Sequence, residues 1–287
     1  MIELLAPAGN LEKAKTAIDY GADAVYIGGQ AFSLRSRASN FSIEQIRELT
    51  DYAHARNAAV HVTVNMIPHE EDLEGLDDWL KALDDAHVDA IIAASPWILD
   101  RARRLGCRFE RHVSTQHSSV NSATVKFWQN QGMDRVVLGR ECTMEQIRQI
   151  CEHSEIAIEA FIHGGMCVSY SGRCVLSNHL TNRDANRGGC AQSCRWKYRI
   201  FESGPGKEEL TAENKLFSMS SKDLRGLREI PVLMEAGVAS LKIEGRMKSA
   251  YYLATVVSTY RRLSDAVESG QELTESFFHQ LEKELDK

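Results

Sequence analysis

Four cysteines, Cys167, Cys174, Cys190 and Cys194, fall within 28 residues of a 287-residue chain that holds seven. An even scatter would put about 0.7 in that window, so the clustering needs a reason. Four thiolates suit tetrahedral zinc or a cubane iron-sulfur cluster. Zinc ribbons usually present paired Cys-x2-Cys knuckles. Here six, fifteen and three residues separate successive cysteines, which favours a cluster and leaves zinc or an unliganded set as alternatives. On helices, the i,i+7 and i,i+4 pairs would each share a face. Glycines at 164, 165, 172, 188 and 189 would let the backbone bend around a compact group. Cys107, Cys142 and Cys151 read as small buried hydrophobes.

The elements that must hold these thiols follow from hydrophobic periodicity. Eight short aliphatic runs, at 2–6, 24–28, 59–64, 90–94, 108–114, 135–139, 156–162 and 239–245, alternate with stretches of helical spacing such as Ile43, Ile46, Leu49 and Tyr52. Ser42 with Gln45, and Thr143 with Gln146, have capping-box spacing. Alternating strand and helix implies parallel pairing, so the expected fold is α/β: a (β/α)8 TIM-like barrel, with an open doubly wound sheet as the alternative. About 75 residues separate the seventh strand from the eighth, far more than an ordinary connection. The expected organisation is a barrel over 1–265, a cysteine-rich excursion with a hairpin at 163–238 between strands 7 and 8, and a C-terminal helix at 266–287 that could lead into a further domain. The excursion leaves from a strand C-terminus, the active face of a barrel.

At 43% hydrophobic and 26% charged, with no apolar run long enough to cross a bilayer and no signal-peptide pattern at the start, a cytoplasmic protein with no membrane contact is expected. A net charge of -6 argues against a surface that is nucleic-acid footprint throughout. A local patch is compatible with it: Arg183, Arg187, Arg195, Lys197 and Arg199 stand against Asp184 between 181 and 199, with Trp196 and Tyr198 available to stack on a base. The alternative is a charged, solvated hairpin edge.

Barrel enzymes draw their reactive side chains from strand C-termini. Those positions hold Arg35, Arg37, Asn65, Gln116, His117, Arg140, His163, Glu244 and Arg246. The arginines suit a carboxylate or a phosphate, although solvated ion pairs are equally ordinary for them. His163 could donate a proton or support the cysteine set. Lys242 and Glu244 should point into the barrel, pairing with each other in the simplest reading.

The segments EAFIHGGMCVSYSGRCVLS (159–177), NRGGCAQSCRWKY (186–198), MSSKDL (219–224) and LKIEGRMKSAYY (241–252), with LLAPAGN (4–10) and SLRSRASNFS (33–42), resemble the tRNA 5-hydroxyuridine hydroxylation branch of the peptidases of unknown catalytic type numbered thirty-two (peptidase U-32). Gly165 stands where that signature usually has Ser or Ala. The resemblance implies a [4Fe-4S] cluster on Cys167, Cys174, Cys190 and Cys194, since no later cysteine is present to replace Cys194. It implies hydroxylation of tRNA wobble uridine at C5, with prephenate as oxygen donor and a homo- or heterodimer as a further expectation. His163, Glu244 and Arg246 become candidate catalytic residues. Arg35, Arg37, Asn65, Gln116, Arg140, Arg183, Arg195 and Lys197 become candidate substrate contacts. Rival readings are hydroxylation of ribosomal RNA or a ubiquinone precursor, a peptidase using Cys167 and His163, and a non-catalytic RNA-binding subunit. The peptidase reading lacks an H-E-x-x-H helix or a G-x-S-x-G elbow.

Overall fold

The structure, a computed structural model, describes residues 2–34, 40–204, 206–212 and 215–286. Its strands are β1 (Glu3–Pro7), β2 (Ala24–Gly28), β3 (Ala59–Thr63), β4 (Ala90–Ala93), β5 (Glu110–Val113), β6 (Arg135–Val137), β7 (Ala157–Gly164), the short β8 (Leu224–Arg225) and β9 (Ser240–Ile243). β1 to β7 pair in parallel in chain order, and β9 joins β7 to β1, closing an eight-stranded (β/α)8 barrel. Only β8 was not expected from the sequence; it adds antiparallel to the end of β7.

The helices are α1 (Leu11–Asp19), α2 (Ile43–His54), α3 (Leu76–Asp85), α4 (Pro96–Arg104), α5 (Ser122–Asn130), α6 (Met144–Glu152), α7 (Leu176–Thr181), α8 (Ile230–Glu235), α9 (Ala250–Glu268) and α10 (Glu275–Leu285). Both expected capping boxes form, so the first turns of α2 and α6 have partners for donors that would otherwise be orphaned. The strand residues that face outward, among them Val25, Val60, Ile91, Val136 and Ile243, pack with the helices into the main core. A second, smaller apolar cluster of Leu5, Tyr26, Ile92 and Val137 fills the barrel itself.

Three expectations need adjusting. The cysteine-rich part of the excursion ends before residue 224, because β8 and α8 form an ordinary crossover back to β9. α9 runs on to Glu268, and α10 is held against the barrel by Arg228 with Glu275 and Glu282 and by Arg262 with Glu284. Lys242 does point inward, yet its partner is Glu159 at 2.6 Å rather than Glu244. Residues that face one another inside a barrel come from distant strands, which spacing along one strand cannot show.

Candidate functional site

The excursion lies across the C-terminal end of the barrel, tied down at three βα connections. After β3, Arg187 pairs with Asp72 at 2.6 Å and Ile67 N donates to Asn186 O at 3.1 Å. After β5, Ser118 Oγ donates to Ser171 O, and Gly172, at φ 68°, packs so tightly on the Gln116 carbonyl that a Cβ would collide with it. After β6, Glu141 accepts from both the backbone and the hydroxyl of Ser171. The chain thus arches over the barrel mouth, with its cysteines on the arch.

Those cysteines do not sit on helical faces. Cys167 and Cys174 precede α7 in non-helical backbone, Cys190 lies in a loop, and Cys194 lies in a short 3-10 turn, Ser193–Arg195. The shared-face argument from spacing therefore fails. The glycine argument holds at Gly164, Gly172 and Gly188, all with positive φ. Gly165 has ordinary van der Waals space, its nearest neighbour lying 3.6 Å from a notional Cβ, so the Ser or Ala usual in the family signature would fit.

All four thiols are free of disulfides. Cys167 is exposed at the surface, yet enough protein surrounds its sulfur for burial to push the thiol up; Arg140 pulls it down, and Cys190, Cys194 and Cys174 each push it up further. Such mutual influence requires the four to lie within electrostatic range of one another. The loops bearing them are pinned by charged side chains acting on backbone carbonyls. Arg140 donates to Gly165 O while lying 3.9 Å over the Phe161 ring. Arg195 donates to Met166 O at 2.9 Å and to Ser221 O at 3.2 Å. On the other side Ser177 Oγ donates to Gly189 O and accepts from Ala191 N at 3.0 Å, bracketing Cys190.

The remaining candidates divide by position. Arg246 is buried beneath the arch, donating to Thr63 Oγ1 at 3.1 Å with Ser33 Oγ at 3.4 Å. Asn65 accepts from Leu34 N at 3.3 Å. Glu244, Arg195 and Asp223 converge around Gly165, each placing a polar atom 3.6 or 3.7 Å from a notional Cβ there. Gln116 serves as the backbone platform for Gly172, and His117 packs edge-on against Trp128. Arg183 has a buried Nε with no hydrogen-bond partner among the described residues. Trp196 and Lys197 are exposed beside Arg195, whereas Tyr198 is half-buried and donates to Ser193 O at 2.5 Å. Arg187 and Arg199 are engaged with carboxylates. Arg35 and Arg37 lie outside the described residues.

His163 faces away from the mouth. With Glu159 and Phe161 directed inward, strict alternation would direct His163 inward too. A register shift between Phe161 and His163 pairs His163 with Ile243, an outward position. Its ring packs against Tyr260 and Tyr252 of α9, with Nδ1 3.1 Å from the Tyr260 hydroxyl. Burial there holds its pKa down at about 4, so the ring is neutral at pH 7.

The sequence reading missed a polar cluster inside the barrel. His61, His112 and Glu159 offer ligand atoms that all lie within 4.8 Å of one another. Glu159 binds Lys242 and, at 3.0 Å, Arg135, which also pairs with Glu3. Burial would raise the Glu159 carboxyl, but Lys242 and Arg135 together hold it low and ionised. Part of the signal was present: His61 and Glu159 are polar within apolar runs, at inward positions of their strands.

Comparison with known proteins fits this arrangement. The model of peptidase family U32 matches residues 9–287. The chain is similar to tRNA hydroxylation protein P1 of Bacillus subtilis (53% identity, covering 99% of this chain and 68% of that protein). It is also similar to the 23S rRNA 5-hydroxycytidine C2501 synthase of Escherichia coli (40% identity, covering 93% of this chain and 40% of that protein). A protein named collagenase from Porphyromonas gingivalis is 35% identical over 93% of this chain and 66% of its own length. Among solved structures, the U32 peptidase Mk0906 superposes with a TM-score of 0.53 at 12% identity, covering 85% of this chain and 94% of that one, a likeness of fold.

Proposed function

Because the chain belongs to peptidase family U32, we propose that it is an RNA-modifying hydroxylase whose substrate is tRNA. Similarity along almost its whole length to relatives named for tRNA hydroxylation is the observation that carries this reading. The finer assignment is conversion of wobble uridine to 5-hydroxyuridine, C5–H becoming C5–OH, with prephenate as the oxygen donor.

The thiol set fits a [4Fe-4S] cluster. Four mutually interacting cysteines with no disulfide supply the ligands, on loops pinned from outside by Arg140, Arg195 and Ser177. Cys167, Cys174, Cys190 and Cys194 would hold the cluster, which when bound supplies electron transfer or polarisation of the oxygen donor.

The protein's own groups bind and orient. The buried Arg246 fork, beside Thr63 and Ser33 hydroxyls, is suited to a carboxylate of the co-substrate. Glu244 lies across Gly165 from Arg195, where it can accept a proton near the cysteine loop. Trp196 offers an exposed face for a base and Lys197 a cation for the phosphate backbone. The peptidase reading loses ground because His163 is turned towards α9 and gives Cys167 no general base.

The test is anaerobic turnover. Protein reconstituted with iron and sulfide, given unmodified tRNA and prephenate, should yield 5-hydroxyuridine on nucleoside mass spectrometry. Stoichiometric zinc without sulfide in anaerobically purified protein would overturn the cluster assignment, and intact uridine with full cluster content would overturn the activity.

A further inference from the structure

The cluster inside the barrel is independent of the thiol arch and belongs to neither RNA binding nor hydroxylation as described above. His61 is 2% exposed, His112 and Glu159 fully buried. The His61 and His112 rings meet edge to face with centroids 4.9 Å apart. His112 Nε2 lies 2.7 Å from Glu110 Oε2. A carboxylate only accepts, so Nε2 carries the hydrogen, and in the neutral ring Nδ1 is then the lone pair. That Nδ1 is buried and has no partner among the described residues, and His61 Nδ1 is likewise buried without one there. Each Glu159 oxygen takes one cation, Oε1 from Lys242 and Oε2 from Arg135, leaving further lone pairs on both.

Two buried imidazole nitrogens thus sit beside a carboxylate that already holds Lys242 and Arg135, and buried polar atoms left unpaired cost free energy. The charges leave room for a cation. With neutral imidazoles, Glu3, Glu110 and Glu159 outnumber Arg135 and Lys242 by one. Access is also present, because Glu110, the first residue of β5, is exposed at the N-terminal end of the barrel.

From this convergence we propose that His61, His112 and Glu159 form a binding site for one divalent first-row transition metal ion inside the barrel, separate from the four cysteines. Two imidazoles and one carboxylate are the donor set for Fe(II), Mn(II) or Zn(II). Glu110 is the positioning residue: its bond to Nε2 orients His112 and raises the basicity of the coordinating nitrogen.

Crystals of protein from cells grown with added manganese, iron or zinc, measured on both sides of each absorption edge, decide the matter. The expected result is an anomalous peak about 2.0–2.3 Å from both imidazoles and Glu159. An ordered water there, or no anomalous density in any of the three preparations, overturns the proposal. As a second arm, His61→Gln and His112→Gln should each lose one metal equivalent per chain while acid-labile sulfide stays at the parent level. Unchanged total metal in both variants would equally overturn it.

Discussion

The thiol arch and the barrel interior are both polar, and they are organised in opposite ways. Inside the barrel, every charged group is held by strands joined through parallel ladders, and Glu159, Lys242 and Arg135 satisfy one another at 2.6 and 3.0 Å. On the arch, order comes from short turns, glycines and side chains such as Arg140, Arg195 and Ser177 gripping carbonyls, and large apolar groups such as Val168, Tyr170, Val175 and Trp196 remain exposed. The fold therefore completes the ion-pair network of the first region unaided. The second is held by local contacts, and the proposed cluster would add the link between its four cysteines.

The sharpest way to break this contrast is Cys167→Ser. It should abolish tRNA hydroxylation and sulfide content and speed hydrogen exchange across 166–200, with exchange in β1 to β6 unchanged; loss of protection throughout the barrel would show that the two regions are not separable. Glu159→Gln is the converse experiment. It leaves Lys242 and Arg135 buried without their shared counter-charge and should cost about 3–5 kcal/mol in urea unfolding. A loss under 1 kcal/mol would mean the interior network does not stabilise the barrel.

A third test uses pH. Folded His163 titrates at about 4 against 6.5 in an open chain, so below 6.5 the unfolded state binds the extra proton. Its stabilising contribution is fully present above pH 6.5 and is lost as pH falls towards 4, by up to about 3 kcal/mol. Unfolding free energies at pH 7 and pH 4.5 should differ less in His163→Gln than in the parent, and an identical difference would refute the outward, desolvated placement. The smallest effect sharpens the role of the arch. Trp196→Ala should weaken tRNA binding by about 1–3 kcal/mol, read by filter binding at fixed salt, with no change in melting temperature.

Much of the architecture was legible because its signals are local. The strand runs show period-two burial or continuous apolar character, Ser42 and Thr143 announce helices within three residues, and the cysteines are recognisable by density alone. β8 was invisible because two residues carry no period. The helical-face argument for the cysteines failed because glycines with positive φ take the backbone out of any helix there.

The sequence by itself therefore determined the eight-unit barrel and the long excursion on its active face, and it singled out the four clustered cysteines, since each is written in neighbouring residues. Tertiary structure alone decided that Lys242 meets Glu159, that His61 and His112 converge on the same carboxylate, and that a bulge in β7 turns His163 outward. Partners across a closed barrel are set by register and curvature, and one inserted residue in a ladder reverses which face a side chain occupies.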